Sequence, residues 1–330
     1  MYGDAIHDLE IVEGCAYMML GDLFTDSLAS VHVLYYNKDI INDNYSSYNY
    51  IQDIVLEGSW TVDEMVRVSE ETAVDLNGDG KMTCGDDLFG FTPRGFWGPM
   101  IPVLLGFDVE YLETTNDEIA YCFKNERSVK ILEKLNELFW ANSTNRDTGD
   151  LDWFSAYESQ QTVFVGYLRL SDLSRMRDIE FQVGLAPYPK LDNIQEKYVS
   201  SLHDSSEVGA IVVTTPLSEM DFVSTVLEVM AREAGRTIIP VYYEEALKIK
   251  YANGVDDAVM IDLIHDSVSS PFAVTYNNVL SQIPLQHCFL LPMIANNNDF
   301  VSVYDSVETP GKKALDNLVN AFKELKAKEN

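Results

Sequence analysis

Ser30-Val31-His32-Val33-Leu34-Tyr35-Tyr36-Asn37 is a run of β-branched and aromatic residues, which predicts a buried β-strand. Further strands are predicted over 161–168, 181–187 and 209–214. Helical patterns separate and follow these strands, over 59–73, 128–140, 221–232, 244–251, 257–265 and, after Pro310-Gly311, 312–326. Because strands alternate with helices along the chain, the sequence predicts an α/β fold.

The composition allows large buried cores and excludes two kinds of partner. The chain has 330 residues, enough for two domains, and 46% of them are apolar. It carries 23 Lys and Arg against 53 Asp and Glu, a net charge of -30, so neither nucleic acid nor an anionic lipid surface is an expected partner. No run of about 18 apolar residues occurs that would predict a membrane-spanning helix.

A loop over 75–86 has the spacing of a calcium site. Oxygen ligands fall at the first, third, fifth, seventh and twelfth positions, and a glycine takes the sixth, where the chain must turn; the predicted ligands are Asp75, Asn77, Asp79, the Lys81 carbonyl and Asp86. The twelfth residue is Asp rather than Glu, and the apolar residues that follow end at Pro93 instead of forming the second helix of an EF-hand. A solvated turn is therefore the alternative interpretation. Any calcium ion bound here would be structural.

The sequence contains no catalytic or redox signature. The five histidines form no paired motif, and the four cysteines, Cys15, Cys84, Cys122 and Cys288, form no CxxC pair. The sequence does not decide whether two of these cysteines form a disulfide. Such residues are more often buried as small apolar side chains. The acidic residues are so numerous that pairs of carboxylates arise by chance, which weakens any glycosidase interpretation.

Several segments resemble one family, the extracellular solute-binding proteins of ABC transporters, on the carbohydrate side. The resemblance rests on five segments in family order: Val33-Leu34-Tyr35-Tyr36-Asn37-Lys38-Asp39, Gly58-Ser59-Trp60-Thr61-Val62-Asp63-Glu64, Asp75 to Gly80 with Asp87 to Phe91, Val183 to Lys190, and Tyr242 to Ala252. Each segment alone is only weakly specific for the family. Together, the five segments occur in the family's order and extend over most of the chain.

The resemblance implies a periplasmic-binding-protein-like type II fold, in which two α/β lobes hold a ligand between them. The second lobe would comprise residues 37–204 and 266–330, and the first lobe residues 1–36 and 205–265. Family members carry a signal peptide, a lipidated Cys and several βα units before the first crossing strand, and the start of this chain matches none of these. We therefore expect a first lobe that is incomplete at its N-terminus, from a reading frame begun at an internal Met or a degraded copy.

The family comparison also suggests where a ligand would bind. Sugar sites use flat aromatic faces together with polar side chains that bond to hydroxyl groups. The candidates are Arg94, Phe96, Trp97, Tyr167 and Tyr188. The alternative to a position in the cleft is packing inside the protein for Phe96, Trp97 and Tyr188. For Arg94, the alternative is an ion pair at the surface.

The expected function is that of a non-catalytic binding component of an ABC importer, which takes up a sugar, an oligosaccharide or another small solute. The expected partners are the permease subunits of the transporter, and the chain itself is expected to be a monomer. The complete family protein would be extracellular and held at the membrane by a lipid anchor. The alternative is a carbohydrate hydrolase with paired carboxylates and structural calcium.

Overall fold

The computed structural model describes residues 9–12, 15, 17–21, 23–93, 95, 97–116, 118–146, 153–203, 207–212, 214–251, 255–269 and 272–329. Its strands are β1 His32–Asn37, β2 Phe89–Thr92, β3 Leu112–Thr115, β4 Glu118–Tyr121, β5 Thr162–Arg169 and β6 Val183–Ala186. The helices up to β6 are α1 Thr25–Ala29, α2 Lys38–Tyr45, α3 Tyr50–Leu56, α4 Val62–Thr72, α5 Trp97–Gly106, α6 Glu126–Trp140, α7 Trp153–Glu158 and α8 Leu173–Met176.

After β6, the regular elements of the described chain are all helices, and the first of them begins at Leu217. The helices after β6 are α9 Leu217–Pro240, which continues into a π-helical segment Val241–Tyr251, α10 Val255–Asp266, α11 Phe272–Thr275, a second π-helical segment Ile283–Leu290, α12 Leu291–Ile294 and α13 Phe300–Glu329. This alternation of strands and helices confirms the predicted α/β class.

A four-stranded sheet with the order β2-β5-β1-β6 forms the centre of the molecule. Strand β1 runs antiparallel to both β5 and β6, with His32 opposite Arg169 and Leu34 opposite Ala186, and β2 runs parallel to β5. All six residues of β1 are buried, as the run of apolar and aromatic residues predicts for a strand covered on both faces. Strand β5 ends beside the start of β1, where Arg169 lies opposite His32.

The helices on this sheet begin where the sequence places capping residues. The Thr61 side chain accepts a hydrogen bond from the backbone N–H of Glu64 at the start of α4, and Asn125 does the same for Ser128 at the start of α6. Helix α4 packs against β2, β5 and α6, and α3 packs against β6. Trp60, fully buried just before α4, donates from Nε1 to the Pro187 carbonyl at 3.1 Å.

A buried ion pair joins α10 to the helices that follow β1. The Lys38 ammonium lies 2.9 Å from Asp257 Oδ1, and Gln52 Nε2 donates to the same oxygen at 2.6 Å. Helix α10 also packs against β6. The predicted lobe boundaries place Asp257 in one lobe and both of its partners in the other, so this contact crosses the predicted boundary.

Two predicted elements are wrong. The strand predicted over 209–214 is absent from the described residues 209–212, where the backbone makes one bridge, from Gly209 to Met19. The last helix begins at Phe300 rather than after Pro310-Gly311, and it passes through both residues. Gly311 allows this course because the helix lies against Ile283, whose Cδ1 is 3.2 Å from the position that a Cβ would take.

The structure contains no disulfide between the four cysteines, all of which are among the described residues. All four cysteines are free thiols, and Cys15 and Cys288 are buried. Among the residues that the structure describes, no helix has a stretch long and apolar enough to span a bilayer.

Candidate ligand-binding site

Tyr167, near the end of β5, lies between the rings of two histidines. We call Tyr167, His32 and His203 the ring group. The φ angle of Tyr167 is 62°, in the left-handed region that residues other than glycine seldom adopt. The half-buried ring stacks on His32 with 5.5 Å between centroids and lies 4.8 Å from the ring of His203. A side chain held in a rare backbone conformation is a reason to look for function at that position.

His32 is buried beneath this ring, with 1% of its surface exposed. Its Nδ1 lies 3.0 Å from the Ser201 hydroxyl, and its Nε2 has no hydrogen-bond partner among the described residues. Burial, together with the neighbouring His203, lowers the pKa of His32 to about 3. The imidazole is therefore neutral at physiological pH.

Trp97, the next predicted ligand residue, stands in sequence just before a glycine that contacts Tyr167. It is half-buried and is the first residue of α5. The next residue, Gly98, lies directly against the Tyr167 ring, because a Cβ at this position would be 2.5 Å from Cε1 of the tyrosine. Only a residue without a side chain allows the start of α5 to approach this ring so closely.

The other predicted ligand residues have different outcomes. Tyr188 is 2% exposed and occupies the core, which was one of its two predicted positions. Its hydroxyl accepts a hydrogen bond of 2.8 Å from the backbone N–H of Tyr167, so it supports the ring group from below. Arg94 and Phe96 lie outside the described residues.

The structure also contains a groove that sequence reasoning missed. It has a volume of about 820 Å³ and is lined by residues from 105–112, 125–131, 194–201 and 269–273. Buried Gln195 fixes one wall, since its Nε2 donates to the carbonyls of Gly106 and Lys197, each at 2.8 Å. Arg127 Nη2 donates to the Phe107 carbonyl at 2.6 Å. Four separate stretches of the chain build this groove, so no local motif could have indicated it.

The groove combines aromatic and polar surface. Tyr111 and Phe272 line it with their ring centroids 6.2 Å apart, and the Tyr111 hydroxyl is buried without a hydrogen-bond partner among the described residues. Carboxylates and hydroxyls also line it, including those of Asp108, Glu196 and Ser201. The Ser201 hydroxyl is also hydrogen-bonded to His32, so the groove adjoins the ring group at Ser201. Such a mixture suits a polar ligand with apolar faces.

The predicted calcium loop folds around its own backbone. Asp75 accepts hydrogen bonds from the N–H groups of Gly78 and Gly80, at 2.6 and 2.8 Å. Asn77 accepts from the N–H of Asp79, and Asp79 accepts from that of Lys81. Both glycines have positive φ angles, 73° and 80°, which the tight turn requires. Each of these side-chain oxygens keeps a lone pair for a cation.

Asp87, which follows the predicted ligand Asp86, holds the end of this loop to its start. Its side chain is buried and accepts hydrogen bonds from the N–H groups of Leu76 at 2.9 Å and Thr83 at 2.7 Å. Among the described residues, no group of three or more His, Cys, Asp or Glu side chains is arranged as a metal site. The structure thus explains the loop as a turn, and calcium binding stays a prediction.

Comparison with known proteins finds similarity at the level of structure. No protein-family model matches the chain, and no curated protein matches it in sequence. The structure is similar to the cyclic alpha-maltosyl-1,6-maltose binding protein from Arthrobacter globiformis, with a TM-score of 0.54 and 15% identity. That match covers 95% of this chain and 76% of the other.

Two further solved structures agree with this match. One is an ABC substrate-binding protein from Listeria monocytogenes in complex with cycloalternan, with a TM-score of 0.53, 13% identity and coverage of 98% of this chain and 75% of the other. The second is a Streptococcus pneumoniae solute-binding protein in complex with the blood group A-trisaccharide, with a TM-score of 0.53, 11% identity and coverage of 96% and 75%. The chain therefore has the two-lobe α/β fold of these solute-binding proteins, as its sequence motifs predicted.

Proposed function

We propose that this protein is the solute-binding component of an ABC importer and binds a sugar or oligosaccharide between two lobes without catalysis. The observation that supports this most directly is the fold, which is similar to that of proteins solved with, or named for, an oligosaccharide. Permease subunits are the proposed partners, and an extracellular position is the proposed location. The lobe boundaries near residues 36, 204 and 265 and a structural calcium ion in the loop over 75–86 belong to the same proposal.

The ring group supplies the contact that this function needs. A pyranose presents a face of C–H groups that packs on an aromatic ring, while its hydroxyls require polar partners. Tyr167 and Trp97 are both half-buried, so part of each residue is accessible. His203 lies next to Tyr167, Ser201 bonds to His32, and both carry groups that bond to hydroxyls. We place one sugar residue against Tyr167 and Trp97, with Arg94 and Phe96 as further candidate contacts.

The groove provides volume for a longer ligand. Its volume of about 820 Å³ is within the range of pockets that enclose small ligands. Because Ser201 lines the groove and bonds to His32 of the ring group, an oligosaccharide bound at Tyr167 would extend towards Gln195 and Arg127.

The test is a glycan array of neutral oligosaccharides, followed by product analysis of every sugar that binds. We expect retention of at least one glycan and recovery of that glycan unchanged after prolonged incubation with the protein. Release of shorter sugars would support the hydrolase alternative instead. Absence of binding to every glycan, with the protein shown to be folded by circular dichroism, would contradict the proposal.

A further inference from the structure

Helix α9 presents an uncovered apolar stripe to solvent. Phe222 is 71% exposed, Val226 40%, Val229 59% and Met230 53%. Val226 lies four residues after Phe222, and Val229 and Met230 lie three and four residues after Val226, so the four share one side of the helix. Within α9, the residues that the structure shows as buried are Ala234 and Ile239. Most of the helix surface, including this stripe, therefore contacts water.

Such a stripe is costly unless another surface covers it. Isolated exposed apolar residues are common, whereas a contiguous apolar patch marks an interaction site. An anionic lipid surface is a poor partner for a chain with a net charge of -30. A protein surface of matching shape and charge is the better candidate.

The charges on α9 match a second copy of the same helix. Glu219 is exposed near its N-terminus and Arg236 is exposed near its C-terminus, where it lies 4.0 Å from Glu233. If two copies pack antiparallel with the two-fold axis between Val226 and Val229, Glu219 faces the partner's Arg236 at both ends of the contact. The apolar stripe then lies between the two charge pairs. An antiparallel contact of one surface with itself closes as a dimer and does not propagate.

We propose that two copies of this chain associate through α9, as an antiparallel helix pair with Phe222, Val226, Val229 and Met230 at its centre. One helix face forms a small interface, so the dimer dissociates on dilution. Repulsion between two chains of the same negative sign also weakens it, and salt near 0.15 M screens much of that repulsion. The proposal does not depend on the identity of the bound solute.

The experiment is light scattering coupled to size-exclusion chromatography, from about 1 to about 100 μM protein, a range that brackets the dissociation constants of small interfaces. We expect the mass to rise from that of one chain to that of two. Phe222→Asp and Val229→Asp should abolish the rise. Val301→Asp should not, because Val301 is similarly exposed, at 47%, but lies on α13.

A charge exchange tests the pairing itself. Glu219→Arg and Arg236→Glu should each raise the dissociation constant about fivefold or more, and the double variant should return it to within about twofold of the original. A chain that stays monomeric at the highest concentration would overturn the proposal and leave the monomer expected from the sequence. Dimers that persist in both aspartate variants, or double variants without recovery, would overturn it as well. So would binding of α9 to phospholipid vesicles in place of self-association.

Discussion

The backbone N–H of Tyr167 donates a hydrogen bond of 2.8 Å to the hydroxyl of buried Tyr188. This bond connects a residue of the ring group, held at a φ of 62°, to the core of the molecule. The position of the Tyr167 ring therefore depends on a side chain that no ligand needs to touch.

Tyr188→Phe should remove this acceptor without changing the packing of the ring. We expect a loss of about 1 to 2 kcal/mol in the free energy of unfolding, because a buried N–H loses its partner. Urea denaturation measures this loss. Tyr48→Phe is the control, since Tyr48 is 41% exposed and should change stability little. Equal stability of Tyr188→Phe and the parent would show that the bond does not hold Tyr167.

His32 should make the protein less stable as the pH falls. The native state keeps the imidazole neutral down to a pKa of about 3, whereas the unfolded chain takes up a proton near 6.5. Between these values the unfolded state binds more protons, so the free energy of unfolding falls with falling pH, by about 1.4 kcal/mol per pH unit from this group.

The measurement for His32 is urea denaturation between pH 7 and pH 5 for the parent, His32→Gln and the control His287→Gln. We expect the parent and the control to lose stability with a steeper slope than His32→Gln. Parallel slopes for all three proteins would mean that His32 does not stay neutral in the native state.

Part of the fold was predictable because local sequence decides it. The apolar run of β1 and the capping residues Thr61 and Asn125 define a strand and two helix starts with no reference to distant parts of the chain. The strand predicted over 209–214 failed because a strand needs a neighbour. Among the described residues there, only Gly209 bridges to another segment, and Val212 is 67% exposed.

The site was predictable only where the family resemblance reached. Gly98 lies against the Tyr167 ring and so brings the start of α5 to β5, while the ligand roles of Trp97 and Tyr167 stay predictions. His32 and His203 were interpreted as isolated residues, yet their rings lie 5.2 Å apart, because the bridge from Val31 to Leu202 aligns the two segments. The groove depends in the same way on contacts that only the folded chain creates.

The buried ion pair between α2 and α10 should be sensitive to the loss of one partner. Lys38 and Asp257 have side chains that are 8% and 2% exposed. Lys38→Met leaves Asp257 with an uncompensated buried charge, so we expect a loss of about 3 to 5 kcal/mol in the free energy of unfolding.

Two variants complete the test of this ion pair. Lys312→Met removes an exposed pair with Glu308, whose side chains are 65% and 36% exposed, and should cost at most about 0.5 kcal/mol. The double variant Lys38→Met/Asp257→Leu should regain part of the loss, because no charge remains buried. A Lys38→Met protein as stable as Lys312→Met would contradict the buried pair.

The loop over 75–86 should bind calcium if its remaining oxygens can converge. A ligand that binds only the native state raises the melting temperature, so the midpoint should be higher in millimolar calcium than in chelator. Asp79→Ala should remove the dependence on calcium. Asp299→Ala, on a different loop, should retain it. An unchanged midpoint in the parent protein would leave the loop as a turn held by its own backbone.

The most direct test of the proposed function is calorimetric titration of the parent and of Tyr167→Ala with a glycan selected on the array. Loss of one stacking ring weakens the binding free energy by about 1.5 kcal/mol, so we expect the affinity of Tyr167→Ala to fall about tenfold or more. The affinity of Tyr48→Ala should not change. Both variants should melt cooperatively, which separates lost contacts from lost folding. Equal affinity of the parent and Tyr167→Ala would contradict the account, because the sugar would then bind away from this ring.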